Sequence, residues 1–302
     1  MTRTKQLLEE GIVKWTEYED QYQEASDWLT QTEGHVQSFN KLSNTLEEKK
    51  TVLEQFQKEL DRLNMKAQVL LETCADSRIS NAVTQMTTKY NALLSLAKEV
   101  MRRLELHYQE HQQHYTLYQE LEDWVDRTKE KVRECEQVPS TLNEVNNKLQ
   151  TVKGIRQSLE QGQNKLRYAL ELKEKVILNT EQSGAAKIQE DTENLKTEFE
   201  RLMSTVQDLR QKLTTRAAQL EDAGKGLKVL VDWLDEVERK MVQVQNAAPL
   251  SDISEKRAML EKVRGLQRDV SSHAELVERT QAKLNEDPSL PRSSYEDSVK
   301  RF

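Results

Sequence analysis

The sequence contains few of the residues that interrupt helices and few of those that fill a large core. Its 302 residues include 8 glycines and 4 prolines, and aromatic residues make up 5% of the chain. So little glycine and proline, combined with 32% charged residues, is typical of long helices. Hydrophobic residues, at 36%, are too few for one large globular core but suffice for narrow apolar stripes along helices.

Several signals of location and partner are also absent from the sequence. No apolar run approaches the roughly 18 residues that span a bilayer, and the N-terminus has no apolar segment of the kind found in secretory signals. The net charge of −7 argues against nucleic acid as a main partner and against a basic membrane-binding face. The two cysteines, Cys74 and Cys135, are expected to be reduced thiols. We therefore expect a cytoplasmic protein that does not insert directly into a membrane.

One tryptophan motif recurs along the chain. Only four tryptophans are present, and three of them follow an aspartate and precede an aliphatic residue. These three are Trp28, Trp124 and Trp233. A motif that returns at intervals of about a hundred residues indicates a tandem array, and arrays commonly act as spacers and binding platforms. The repetition therefore favours a structural role over an enzymatic one.

The sequence around each tryptophan predicts the same helices, called A, B and C below. Helix A contains the tryptophan, and a turn-rich patch separates it from helix B. Leu53, Leu149 and Leu260 of helix B follow their tryptophans at a nearly constant distance along the sequence. Helix C carries an aromatic residue, Tyr90 or Phe199, which precedes the next tryptophan by the same distance in both copies. Because no turn signal separates helix C from the next helix A, we expect continuous helices of about 55–60 residues, roughly 80–90 Å long.

Three helices per copy, heptad-like apolar stripes and a shared C-to-A helix resemble the spectrin-repeat family. The resemblance implies an all-α fold of tandem three-helix coiled-coil repeats that form an elongated rod. It implies repeats at residues 1–107, 108–216 and 217–302, the third having only helices A and B and the start of C. The family's helix-C tryptophan is replaced here by other aromatic residues. Five residues are the expected structural core anchors: Trp28, Trp124, Trp233, Tyr90 and Phe199.

The diverged, uneven repeats are most similar to those of the giant nesprins, which link the nucleus to actin. This resemblance implies a non-catalytic spacer and scaffold rod within a large cytoskeletal linker. Its partners would be other repeats of the same chain and cytoskeletal proteins. Actin and the nuclear envelope would be bound through domains outside this sequence. The implied location is the cytoplasm and cytoskeleton, with the full-length protein at the outer nuclear membrane in the LINC complex.

The first copy is shorter than the second. The deficit lies between helices B and C, where the interval from Leu70 to Ile79 is much shorter than the interval from Leu166 to Ile188. The missing segment is close to two heptads long, so its loss keeps the apolar stripe in phase. The loss is expected to uncover the beginning of the first helix A, where Leu8, Ile12 and Trp15 lie.

The third copy is incomplete, and its junction with the second copy contains two glycines. Only residues 293–302 follow the loop at 287–291, so helices A and B are expected to leave an apolar groove open. Either a boundary cuts a longer array, or a second chain fills the groove in trans. Gly224 and Gly226 each cost a helix about 1 kcal/mol relative to alanine. We interpret this pair as a candidate hinge, with a tolerated surface pair as the alternative.

Only one motif in the sequence suggests chemistry. His107, Glu110 and His111 match the H-x-x-E-H pattern of inverted zinc proteases, and His114 lies on the next turn of the same predicted helix. However, His111 and His114 align with helix-packing positions of the other copies, and a three-helix coil offers no open pocket for a catalytic metal. We interpret them as packing residues, with weak adventitious metal binding as the alternative. The sequence therefore predicts no enzyme, no catalytic residue, no metal site and no cofactor.

Two runs of acidic and basic residues occur in the predicted helices B, at residues 47–50 and 173–175. We interpret them as solvated helix faces.

Two alternative functions stay open. One is a self-associating rod that pairs antiparallel and crosslinks actin, and sedimentation equilibrium would detect its tight dimer. A membrane-curving helical dimer is the other. It would need a basic concave face, which the acidic balance disfavours and which liposome flotation would test.

Overall fold

The computed structural model describes residues 2–75, 80–290 and 292–302. Side chains are described for all of these except residues 70–75 and 80–83. Ile79 and Pro291 therefore lie outside the described residues, as do the side chains of Leu70 and Cys74. The described residues form seven α-helices: α1 (Thr2–Ser38), α2 (Leu46–Ala75), α3 (Ser80–Cys135), α4 (Leu142–Leu178), α5 (Gln182–Gln245), α6 (Ile253–Glu286) and α7 (Arg292–Arg301). The predicted all-α fold class is confirmed.

Local sequence determines where α2 and α4 begin. The hydroxyl of Thr45 accepts a hydrogen bond from the backbone N–H of Glu48 (3.1 Å), and the Glu48 carboxylate accepts one from the backbone N–H of Asn44 (2.8 Å). Thr141 and Glu144 repeat the first of these contacts at the start of α4 (3.2 Å). Both pairs satisfy N–H groups that have no partner within the first helical turn. The Thr-x-x-Glu pattern thus fixes the start of a helix B in two copies.

The two long helices have the continuity that the sequence predicts. Helix α3 has 56 residues and α5 has 64, so they are about 84 Å and about 96 Å long. Each combines a predicted helix C with the next helix A and has no break at the predicted repeat boundary. The prediction of shared C-to-A helices is confirmed.

The residues pack into two compact units. Unit 1 comprises Met1–Asp123 and Gln163–Thr197, and unit 2 comprises Trp124–Gly162 and Glu198–Phe302. The core of unit 1 includes Ala25, Leu29, Val36, Phe56, Leu63, Met86, Leu93, Ala97, Val100 and Leu104. One core cluster of unit 2 consists of Val145, Leu220, Ala223, Leu284, Leu290 and Tyr295, and another of Leu230, Leu234 and Val277. These units are defined by packing, and the repeat boundaries at 107/108 and 216/217 stay predictions.

Each unit also exposes apolar side chains. In unit 1, Leu8, Ile12 and Trp15 of α1 are 64%, 64% and 53% exposed, as expected for a helix A without a full B–C hairpin beside it. In unit 2, the exposed apolar side chains of α5 and α6 include Met241, Val242, Ile253, Leu260 and Val263. No helix of the described part of the chain is apolar and long enough to cross a membrane.

Candidate functional site

Trp124 and Phe199 form an aromatic pair in unit 2. Their rings stack with centroids 5.7 Å apart and an interplanar angle of 30°. The indole Nε1 of Trp124 donates a hydrogen bond to the hydroxyl of Ser158 in α4 (3.1 Å). Phe199 is fully buried and Trp124 is half-buried. A Cβ on Gly162 of α4 would lie 3.1 Å from the Phe199 ring and 3.3 Å from the Trp124 ring, so the absence of a side chain there lets the helices approach.

The other predicted anchors are half-buried at the edge of a core. Trp28 and Tyr90 pack against the core of unit 1, and the Nζ atom of Lys66 lies 5.3 Å from the centroid of the Trp28 ring, within cation–π range. In unit 2, Trp233 stacks on His273 with centroids 4.2 Å apart and an interplanar angle of 12°. Each tryptophan thus combines partial burial with at least one specific polar, stacking or cation–π partner.

Gly224 and Gly226, the candidate hinge, lie within the uninterrupted helix α5. A Cβ at either position would meet nothing within 4 Å, so no close packing requires a glycine there. Both are therefore weak helix formers that no neighbouring element covers. Their role as a hinge stays a prediction.

The most unusual feature of unit 1 is a group of buried and half-buried polar side chains, called the Lys49 cluster below. Its members are Lys49, Glu110, His111, His114, Asn179, Thr180 and Thr192. The Lys49 ammonium is 5% exposed and donates to the Oδ1 atom of Asn179 and to the hydroxyl of Thr180 (2.9 Å). Asn179 in turn donates through Nδ2 to the carboxylate of Glu110 (2.9 Å). The cluster thereby ties α2 and the end of α4 to the middle of α3.

Burial shifts the protonation of this cluster. It lowers the pKa of Lys49 to about 8, although the nearby Glu110 carboxylate partly opposes the shift. The pKa values of His111 and His114 are each lowered to about 4 by burial. The positive charge of Lys49 adds to the effect on His111, and that of Lys173 adds to the effect on His114. Both imidazoles are therefore neutral at neutral pH.

The two histidines are packing residues, as the sequence alignment indicates. His111 is 6% exposed and its Nδ1 atom has no hydrogen-bond partner. His114 Nε2 lies 3.2 Å from the hydroxyl of Thr192, whose own proton goes to the carbonyl of Ile188. His114 must therefore donate from Nε2. Among the described residues, no group of three or more His, Cys, Asp or Glu side chains is placed to hold a metal ion.

The interpretation of two charge runs as solvated faces is wrong for one lysine in each. Lys49 and Lys173 are 5% and 4% exposed. Lys173 lies 3.1 Å from the carboxylates of both Glu174 and Glu193, and although burial works against its charge, these contacts raise its pKa. The error arises because each lysine takes a buried position of its helix within a local run of charges, and at least one of its partners, Asn179 for Lys49 and Glu193 for Lys173, lies on another part of the chain.

A loop contact lies beside the Lys49 cluster. The Oδ1 atom of Asn44 accepts hydrogen bonds from the hydroxyl of Ser183 (2.6 Å) and from the backbone N–H of Gly184 (2.9 Å). Asn44 thereby caps the first turn of α5 from a distant part of the chain. A Cβ on Gly184 would lie 2.0 Å from the Asn44 carbonyl oxygen, so only glycine permits this approach.

Unit 2 contains a group in the equivalent position, called the Arg216 cluster: Val145, Arg216, Leu220, Ala223, Asp287, Ser289, Leu290 and Tyr295. Arg216 is 7% exposed and donates to the Pro139 carbonyl (2.9 Å), to the Ser289 hydroxyl (2.6 Å) and to the Asp287 carboxylate. Tyr295 donates to the Ala223 carbonyl (2.9 Å). Hydrogen bonds from Ser289 and Arg216 outweigh burial and lower the pKa of Asp287. One arginine thus joins α5 to the loops before α4 and after α6.

The two clusters correspond position by position when the copies are aligned on their tryptophans. The aligned pairs are Lys49 with Val145, His111 with Leu220, and His114 with Ala223. All six side chains are 7% exposed or less. At these three positions, unit 1 therefore has ionisable side chains where unit 2 has apolar ones.

Comparison with known proteins agrees with this geometry. A family model of the spectrin repeat matches residues 109–215. The whole chain is 57% identical to Muscle-specific protein 300 kDa of Drosophila melanogaster, but it spans only 2% of the length of that relative. The chain belongs to the spectrin-repeat family. The predicted coiled-coil repeats and the resemblance to a giant nesprin-like protein are thereby confirmed. Membership of this family supports a structural, non-enzymatic scaffold role.

Sequence reasoning missed most residues that connect neighbouring parts of this spectrin-repeat chain. The Thr-x-x-Glu capping pattern that positions Asn44 beside α2 was present as a signal. No local signal identifies Lys49 and Asn179 as partners, because 130 residues separate them. Alignment of the copies could have shown Lys49 at a position that is apolar in the second copy.

Proposed function

We propose that this chain is a non-catalytic spacer and scaffold segment of a large cytoskeletal linker. The observation that carries the proposal is the 57% identity along the whole chain to a relative of which the chain spans only 2%. A segment that is so small a part of a long protein, and that contains continuous helices of 56 and 64 residues, is suited to setting distance. Repeats at 1–107, 108–216 and 217–302, each with a tryptophan as its anchor, fit this role.

The proposal extends to location and partners. The relative's name places that protein in muscle, and the resemblance to nesprins implies a link between the nuclear envelope and actin. We infer that the full-length protein lies in the cytoplasm, associates with the cytoskeleton and reaches the outer nuclear membrane. Contacts with actin and with the membrane would be made by domains outside this sequence. The direct contacts of this segment would be other repeats of the same chain and cytoskeletal proteins.

A replacement experiment in the full-length protein tests the spacer role. Residues 1–302 would be exchanged for an unrelated helical array of equal length, and in a second variant they would be deleted. A spacer predicts that the exchanged protein keeps its location at the nuclear rim and along actin filaments, as seen by fluorescence microscopy. Loss of that location after the exchange would show that specific surfaces of this segment matter. If the unmodified protein were absent from both the nuclear rim and the actin filaments, the proposed link between the nuclear envelope and actin would be contradicted.

The exposed apolar side chains favour one second candidate function. Met241, Val242, Leu260 and Val263 are exposed apolar side chains of α5 and α6, and exposed apolar surface promotes association. An antiparallel, self-associating crosslinker would bury such surface against a second chain. Sedimentation equilibrium decides between the candidates, because a spacer stays monomeric whereas a crosslinker forms a tight dimer.

A further inference from the structure

The Lys49 cluster places three ionisable side chains in a closed interior. Lys49, His111 and His114 are at most 6% exposed, and the aligned positions of the Arg216 cluster hold valine, leucine and alanine. A protonated imidazole in this interior would carry a charge without a carboxylate bonded to it. Burying an unpaired charge costs far more than burying a neutral ring. The two clusters must therefore respond differently to protons.

We propose that the Lys49 cluster is a proton-sensitive joint that loosens in acid while the aligned Arg216 cluster stays closed. Opening would separate α2 and the end of α4 from α3, because the hydrogen bonds of Lys49 and Asn179 connect these three elements. The property belongs to the packing of unit 1, so it stands whether or not the chain serves as a spacer.

The groups around the histidines make protonation unfavourable. His111 faces the Lys49 ammonium from α2, and His107, Glu110 and His114 lie on its own helix. Glu110 already accepts the Asn179 amide, and the Nδ1 atom of His111 has no hydrogen-bond partner.

His114 has both charged and neutral groups around it. The Lys173 ammonium faces it from α4, and the Glu174 and Glu193 carboxylates contact that ammonium directly. Thr192 of α5 accepts its Nε2 proton, and Tyr118 stacks on its ring. Burial is the main effect that disfavours a second proton on either ring, and the Lys49 charge adds to it at His111 and the Lys173 charge at His114.

The direction of the pH dependence follows from the lowered pKa values. Both histidines have a pKa of about 4 in the folded chain, against 6.5 for the free side chain. Between these values the unfolded chain binds protons that the folded chain does not, so stability falls as the pH falls. Lys49 acts in the same direction at higher pH, because its pKa is about 8 instead of 10.5. Acidification therefore lowers the stability of unit 1 in two pH ranges, from 10.5 to about 8 through Lys49 and from 6.5 to about 4 through the two histidines.

Native-state hydrogen exchange on the whole chain tests the proposal. Protection factors, corrected for intrinsic exchange at each pH, would be compared at about pH 7 and about pH 5. In residues 43–49, 104–114 and 176–192 we expect protection to fall by about tenfold or more, since each histidine takes up a proton over most of this interval in the opened state but stays neutral in the folded state. Residues 135–145 and 213–227 of the Arg216 cluster should change far less. Equal changes in the two clusters would overturn the proposal.

Three variants identify the groups responsible. The double variant His111→Leu with His114→Ala copies the Arg216 cluster into unit 1 and should abolish the acid-induced loss of protection. His35→Ala removes an exposed histidine of the same unit and should leave that loss unchanged. Leu220→His introduces the ionisable group into unit 2 and should make it acid-sensitive. Undiminished sensitivity in the double variant would overturn the proposal, and so would an acid-insensitive Leu220→His variant.

Discussion

Trp124 contacts both of the helices that face α3. Its indole stacks on Phe199 of α5 and hydrogen-bonds through Nε1 to Ser158 of α4. The next residue, Val125, is fully buried, so the tryptophan lies beside the core and closes it at one edge. At the scale of single residues, this position explains how a half-buried side chain can fix the register of three helices.

Replacing Trp124 by alanine removes all of these contacts. We expect Trp124→Ala to lower the free energy of unfolding by about 3–5 kcal/mol, measured by urea denaturation with circular dichroism. The matched control is Trp15→Ala on the exposed part of α1, which should change it by no more than about 0.5 kcal/mol. If thermal unfolding of the Trp124 variant were unchanged, the proposed register would be wrong.

Gly184 predicts a second effect at the scale of one residue. An added Cβ would lie 2.0 Å from the carbonyl oxygen of Asn44, and a backbone atom cannot move aside as a flexible side chain can. Gly184→Ala should therefore destabilise unit 1 by about 1–3 kcal/mol. Gly154→Ala is the control, because its Cβ meets nothing and should stabilise α4 by up to about 1 kcal/mol. Equal unfolding midpoints for both variants would contradict the close approach of Asn44.

Some residues of this chain can be assigned a role from the sequence, whereas the role of others depends on the folded structure. Trp28, Trp124 and Trp233 were recognisable because a rare side chain returned in one context. The charge run does not reveal the burial of Lys49, because its neighbours Glu47, Glu48 and Lys50 are exposed and a charge run on a helix usually faces solvent. Its burial depends on the polar atoms of Asn179 and Thr180, which only the folded chain brings near.

At the scale of helices, continuity is the main property of α3 and α5. Their periodic apolar residues and the absence of turn signals predicted helices that pass without a break from one copy to the next, and the structure has them. The partners of the connecting loops could not be predicted. They depend on tertiary contacts such as Asn44 with Ser183 and Arg216 with Asp287, each joining residues that lie far apart in the sequence.

Helix α5 contains the candidate hinge, and hydrogen exchange can test it. Gly224 and Gly226 give the helix two weak positions without covering neighbours. We expect amides of residues 222–228 to exchange faster than those of residues 104–121 in α3. Gly224→Ala combined with Gly226→Ala should slow exchange at 222–228 while leaving 104–121 unchanged. Slower exchange at the glycines than in α3 of the unmodified chain would refute the hinge.

At the scale of the whole molecule, the chain consists of repeats that are typical of the family. The side chains that connect the helices within unit 1 differ from those that connect the helices within unit 2. Unit 1 uses the hydrogen bonds of a buried lysine, whereas unit 2 uses a buried arginine and an apolar interior. The sequence predicted the number and order of the helices from the repeated pattern. It could not predict the chemistry of the connections, because each depends on the residues that the neighbouring copy supplies.

The central proposal is that these repeats act as an elongated spacer, and small-angle X-ray scattering of the purified chain tests it most directly. A compact globule of 302 residues would have a radius of gyration of about 19 Å. A straight helix with the 64 residues of α5 is by itself about 96 Å long. We therefore predict a radius of gyration far above the globular value and a scattering profile typical of a rod. A radius close to about 19 Å would contradict the spacer account.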